Sequence, residues 1–147
     1  MTPACSLPEK LGIWRLGKPI HFGNESVVAA AQPVDAQHSP RWDYAVKFAT
    51  GDCGREAIDR AISAASEVNH PNVVPVLDGD PAGTNPFVVM PLLAGRSMQW
   101  HLQHDAEKPL PVVLWFVRQL CQALHACHSA SWTHGDVKPD NILVADN

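Results

Sequence analysis

The chain has 147 residues, 46% of them hydrophobic and 18% charged, which is enough apolar material for a globular domain and too little charge bias for a disordered one. A net charge of −4 with scattered Lys and Arg excludes a nucleic-acid or membrane-surface footprint, since both need clustered positive charge. Cys5, Cys53, Cys121 and Cys127 show no C-x-x-C spacing, no signal-peptide core opens the chain, and no uninterrupted apolar run spans a bilayer; a reduced cytoplasmic setting without a membrane segment is expected.

Residues 1–12 read as an N-terminal extension. From Ile13 to about Met90, short β-branched runs ("VVAAA", "YAVKF", "NVVPVLD", "PFVVM") alternate with Gly, Pro, Asn and Asp clusters, the pattern of a small antiparallel sheet. Inside it, "GREAIDRAISAASEV" (54–68) places Ile58, Ala61, Ile62 and Ala65 at helical spacing and predicts the only helix of the sheet region. "LAGRS" (93–97) is the expected hinge. Beyond it, Val113, Phe116, Val117, Leu120, Leu124 and Cys127 keep a 3.6-residue period, so a long amphipathic helix is predicted over Pro111–Ser129, with Pro111 suited to a first turn.

The stretch "THGDVKPDNILV" (133–144) follows that helix and leads into a strand-like run. Asp followed by Lys two residues later and Asn five residues later, in such a loop, suits phosphoryl transfer. Asp136 would accept the substrate hydroxyl proton and orient its oxygen, Lys138 would neutralise charge on the transferred group, and the Asn141 side-chain oxygen would hold a divalent metal. The plainer reading of "KPDN" is a Pro-containing turn. Elsewhere, Cys121 with His125 and His128 lies at helical spacing but lacks a full ligand set for a structural metal, and His101 and His104 read as solvated.

"HGDVKPDN", "YAVK" and "HPNVVPVLD" together resemble the eukaryotic-type protein kinase family, and particularly its bacterial Ser/Thr members, from about Ile13 to Asn147. The resemblance implies an α+β protein-kinase-like fold: a five-stranded antiparallel sheet with one helix at 13–90, a hinge at 91–95 and the start of a helical lobe at 96–147. It implies an ATP-dependent serine/threonine kinase acting with Mg2+ on a protein hydroxyl. By resemblance, Lys47 contacts the α- and β-phosphates; Val28 and Ala45 from above and Leu143 from below sandwich the adenine; Met90 is the gatekeeper; Pro91 offers its carbonyl and Leu93 its N–H. In the phosphate loop "IHFGNESVV", opened by Ile20, the family's three glycines become His21, Gly23 and Ser26; Gly23-Asn24 also reads simply as a hairpin turn.

Counting back from His70-Pro71 puts Ala61 where the family carries the carboxylate partner of Lys47; Glu56 is preferred for that role over Asp59 although it sits five residues early. Gly135 replaces the arginine that usually receives an activation-loop phosphate, so activity is expected not to depend on one. "HGD" is shared with aminoglycoside and choline phosphotransferases, but Lys138 before Pro139 follows the Ser/Thr protein-kinase pattern. A second metal-binding Asp is expected 13–20 residues beyond Asn141, so the printed chain reads as an N-terminal portion, inactive alone. The alternative is a non-catalytic nucleotide-binding scaffold.

Overall fold

The computed structural model describes residues 7–36 and 39–145. Its contacts divide the chain into two units, the first Met1–Ala65 with Pro75–Leu92, the second Ser66–Val74 with Leu93–Asn147.

The first unit is an antiparallel sheet of β1 (Lys10–Leu11), β2 (Trp14–Phe22), β3 (Ser26–Pro33), β4 (Tyr44–Ala49), β5 (Asp78–Asp80) and β6 (Phe87–Pro91), in the order β1-β2-β3-β4-β6-β5, with one α-helix, α1 (Asp52–Ala65). Five strands were expected; the sixth, β1, lies in the stretch read as an extension. It folds back on β2 through Lys10↔Arg15 and Leu11↔Trp14, and this buries Leu11 and Trp14. "NVVPVLD" is a strand only at its last residue: Asn72–Val76 stays outside the ladder, where Pro75 has no N–H to give, Leu77 N–H donates to the Val89 carbonyl at 2.8 Å, and pairing begins with Asp78↔Val89. Helix α1 starts two residues earlier and ends three residues earlier than the predicted 54–68.

Alternation along the strands produces two faces. On one, Leu11, Trp14, Val27, Ala31, Val46, Phe48, Phe87 and Val89 form the main core. The Trp14 indole N–H, which would be stranded there, donates to Asp78 Oδ2 at 2.6 Å and ties β2 to the edge strand β5. On the other face α1 docks: Ile58, 1% exposed, packs with Ala49 and Val88, flanked by Ala61, Ile62, Val76 and Met90.

The second unit holds β7 (Gly95–Ser97), α2 (Met98–His104), α3 (Leu110–Ser129) and β8 (Leu143–Ala145). Strands β7 and β8 pair antiparallel, Ser97↔Leu143 to Gly95↔Ala145. The Ser97 side chain caps α2 by accepting from the Trp100 N–H. Contrary to the expectation of a solvated side chain, His101 is half-buried and bonded to Asp105 at 2.8 Å, one helical turn on; His104 is exposed, its Nδ1 2.8 Å from the Trp100 carbonyl. Helix α3 begins with Pro111 in its first turn, as predicted. Its 20 residues are long and apolar enough, by length and composition alone, to cross a membrane, but Arg118, Gln119, Gln122 and His125 interrupt the apolar run.

Helix α3 ends in a Schellman motif: Trp132 N–H donates to the Cys127 carbonyl at 2.9 Å and Ser131 N–H to the His128 carbonyl at 2.9 Å. The residue that must turn left-handed for this is Ser131, at φ 61°. A side chain in that conformation costs roughly 1–2 kcal/mol, only part of which is offset by the lower backbone entropy cost of a non-glycine residue, about 0.5–1 kcal/mol. Ser131→Gly is therefore expected to stabilise the protein by about 0.5–1 kcal/mol, read as a rise in the urea midpoint at unchanged m-value.

Candidate functional site

In the first unit, register decides which candidate residues meet. Val28 pairs with Lys47, Lys47 with Val88, and Ala45 with Met90, so these five side chains share the face on which α1 docks. Lys47 is half-buried there, two residues from Ala45 and two from Ala49 along β4. Pro91 closes β6 opposite Tyr44, where its missing N–H costs no ladder bond beyond the strand end. The next amide, Leu92 N–H, donates to the Asp43 carbonyl at 2.9 Å.

The hairpin between β2 and β3 is closed by Gly23 N–H donating to the Ser26 carbonyl at 2.8 Å, with His21↔Val28 and Phe22↔Val27 behind it. Its tip is Asn24-Glu25, one residue later than the Gly23-Asn24 turn expected. Among the described residues the Asn24 and Glu25 amides take no intramolecular acceptor, so two N–H groups are open to an anion. Ile20 lies exposed in the irregular part of β2, where the register shifts between Pro19 and His21.

The predicted carboxylate partner of Lys47 is not in place. Among the described residues the ion pairs include His101–Asp105, Lys108–Asp105 and Lys138–Asp136, and Lys47 joins none of these. Glu56 is exposed because it stands two positions, about 200° of helix, from the buried Ile58. Asp59 is exposed as well, and the residues α1 turns to the sheet, Ile58, Ala61 and Ile62, are all apolar.

In the second unit the structure brings Asp136, Lys138 and Asn141 together. They occupy the connection from α3 to β8, whose end is a 3-10 turn at Pro139–Asn141. Lys138 Nζ lies 2.8 Å from Asp136 Oδ2. The Asn141 amide donates to that same Oδ2 at 2.8 Å and to the Asp136 carbonyl at 2.9 Å. Because the amide nitrogen is spent on two acceptors, the Asn141 carbonyl oxygen is the atom left for a cation, and a hard oxygen donor beside a carboxylate fits a magnesium-type ion. Asp136 Oδ1 takes no hydrogen bond among the described residues. The Lys138 hydrogen bond, then that of Asn141, holds the Asp136 carboxyl below the usual carboxylate range, and Asp136 in turn raises Lys138 above the usual lysine value. Asp136 is thus ionised at neutral pH, a weak base with a fixed orientation. Gly135, before it, sits at φ 77°, a conformation that the family's arginine would strain.

Leu143 is fixed by its pairing with Ser97, and Leu93 is exposed two residues before β7. The strand-like run expected after "KPDN" is β8; sequence reasoning missed its partner β7, and with it the pairing that carries Leu143, since a three-residue strand leaves no periodic signal. Among the described residues no group of three or more His, Cys, Asp or Glu side chains could hold a metal.

A family model described as the protein kinase domain matches residues 22–147. The serine/threonine-protein kinase PknB of Mycobacterium leprae is 30% identical over 141 residues, covering 90% of this chain and 22% of the relative. PknB of Mycobacterium tuberculosis is 29% identical over 154 residues, 99% of this chain and 24% of its own length. The mouse serine/threonine-protein kinase DCLK2 is 29% identical over 134 residues, 90% of this chain and 18% of its own. The chain therefore spans about a fifth of the curated relatives it matches. Among solved structures, the kinase domain of Mycobacterium tuberculosis PknI, in a point-mutant form, shares the fold with a TM-score of 0.73 at 21% identity, over 97% of this chain and 59% of that one.

The shared Oδ2 makes a titration prediction. Asp136 binds its proton less readily folded than unfolded, so its contribution to stability is present above the unfolded carboxylate pKa and is lost as pH falls through the lowered folded value; the Lys138 contribution is lost as pH rises through its raised value. Lys138→Met removes the larger of the two lowering hydrogen bonds, and the Asp136 carboxyl is expected to titrate higher than in the unsubstituted protein, read from its side-chain carbon shift in NMR. An unchanged midpoint would contradict the pairing.

Proposed function

Since the chain belongs to the protein kinase domain family, we propose that it carries the nucleotide-binding sheet and catalytic loop of an ATP-dependent protein serine/threonine kinase, working in the reducing cytoplasm, where Cys53, Cys121 and Cys127 remain thiols. The observation that carries this reading is the arrangement of Asp136, Lys138 and Asn141 around one carboxylate oxygen. Asp136 Oδ1 receives the hydroxyl of the substrate Ser or Thr and holds its oxygen toward the phosphorus; the proton passes to this carboxylate late, as its lowered pKa requires. Lys138 moves its charge from Asp136 to the phosphoryl oxygens as they become more negative. Asn141 holds a divalent cation, which when bound neutralises phosphate charge.

In the first unit the same reading gives Lys47 the α- and β-phosphates, the Asn24 and Glu25 amides and Gly23 the outer phosphates, and Val28, Ala45 and Met90 the adenine. Ile20 and Pro91 complete this unit's base contacts, and Leu93 and Leu143 keep the base-contact role that the family resemblance gives them. Support for a protein substrate comes from Lys138-Pro139 and from relatives named serine/threonine-protein kinases. The missing carboxylate opposite Lys47 favours a second reading, a nucleotide-binding scaffold without transfer.

The test is phosphotransfer from ATP to a generic Ser/Thr protein by the full-length protein, paired with nucleotide titration. Asp136→Asn keeps shape and hydrogen bonding but cannot take the proton, so kcat is expected to fall about 10²–10⁴-fold at unchanged ATP affinity and thermal midpoint. Retained activity would remove Asp136 from its role.

Lys47→Met is expected to lower kcat by about 10²-fold or more while ATP still binds, because its charge is used mainly as the transition state forms. If the unsubstituted protein binds ATP and transfers nothing, the scaffold reading replaces the kinase reading.

A further inference from the structure

We infer that Gly54 is a positioning residue for the phosphate-facing hairpin, and that this hairpin, β4 and α1 form one immobile piece. The inference rests on the nucleotide-binding reading of the hairpin and concerns how it is held.

The ladder between β3 and β4 ends at Ser26↔Ala49, but one more bond follows: Thr50 N–H donates to the Glu25 carbonyl at 2.9 Å. Glu25 is half of the hairpin tip. The chain then has only Thr50 and Gly51 before α1 starts at Asp52, and the first helical bond, Arg55 N–H to the Gly51 carbonyl, is 3.0 Å. Two residues reach about 7 Å at full extension, so α1 cannot swing without pulling on β4. Its first turn lies directly against the hairpin tip. A Cβ at Gly54 would collide with the Glu25 carbonyl oxygen and come within 3.2 Å of the Ala49 Cβ. Only hydrogen fits there, and Gly54 is buried.

Three consequences follow for the site. The Glu25 carbonyl, held between Thr50 and Gly54, fixes the peptide that joins the tip to Ser26. With Gly23 N–H bonded to the Ser26 carbonyl as well, both ends of the two-residue tip are anchored before a phosphate arrives, and this preorganisation of the amides between them offsets the loss of two glycines, at His21 and Ser26. The all-apolar inner face of α1 fits the same picture: Ile58, Ala61 and Ile62 fasten the helix to the sheet by packing, and no carboxylate on it is needed to report its position to Lys47.

The experiment uses the full-length protein and MgATP as the probe. Native-state hydrogen exchange without nucleotide is expected to show the Thr50 amide protected like the β3–β4 ladder amides; exchange at the rate of an unstructured peptide would overturn the clamp whatever the protein binds. Gly54→Ala is expected to raise the MgATP Kd about 10-fold while kcat at saturating MgATP stays within 2-fold. Thr50→Pro removes the donor without adding bulk at α1 and is expected to raise Kd likewise, which covers the case in which Gly54→Ala does not fold. Gly51→Ala, whose Cβ would meet nothing within 4 Å, leaves both constants unchanged. If the first two variants bind MgATP as the unsubstituted protein does, Gly54 is not a positioning residue. Failure of the unsubstituted protein to bind MgATP would instead defeat the nucleotide-binding reading, and the exchange data would still decide the clamp.

Discussion

Strand β4 has a neighbour on each side, β3 and β6, and its residues therefore have no freedom of face or register. A slip of one residue would send Lys47 into the core that holds Val46 and Phe48 and would turn those two toward α1. Because one face must bury an aromatic cluster around Trp14 and the other must receive Ile58, the position of Lys47 is settled by hydrophobic packing. The polar chemistry of the first unit is in this sense a by-product of where the apolar side chains have to go. Ala49, buried beside Ile58 on the second face, is small enough for strand and helix to approach closely there.

The second unit reaches fixed geometry by the opposite route. Asp136 and Lys138 are 62% and 49% exposed, so no core holds them. What holds them is local: the 3-10 turn at Pro139–Asn141 brings Asn141 back onto Asp136, and one amide group bridges the carbonyl and the carboxylate of the same residue. Exposed ion pairs add little to stability, so this arrangement serves orientation more than it serves the fold.

That contrast explains what could be read from the amino acids. Asp136, Lys138 and Asn141 were legible because their contacts lie within five residues, as were α3 and the strands around Val27–Ala31, Tyr44–Phe48 and Phe87–Met90, where periodicity is strong. Lys47 and its neighbours depend on cross-strand register; spacing pointed to Ala61, and Glu56, preferred for its resemblance to the family's helix motif, stands at a helix phase that turns it away from the sheet. In "NVVPVLD" the valines carry a strand pattern that Pro75 breaks, since a residue without an N–H is poor material for a ladder. Strands β1 and β7 have two and three residues and are created by their partners, not by their own composition. The close approach of Gly54 to Glu25 had no sequence signal beyond a glycine near a helix start.

The interleaving of the two units along the chain has a consequence for biosynthesis. Every strand of the sheet, and α1, is complete once Pro91 has been made, whereas the segment Ser66–Val74 belongs with residues that come later. Asn72 donates to Gln119, 47 positions on. At translation rates of roughly 5–20 residues per second, the stretch from Leu93 to Gln119 takes on the order of 1–5 s to appear. During that interval the sheet can close while the connection from α1 to β5 hangs as an open loop on the nascent chain. Edge strand β5 is then held by its short ladder to β6 and by the bond from Trp14 to Asp78, a contact both of whose partners have by then left the ribosome's decoding site.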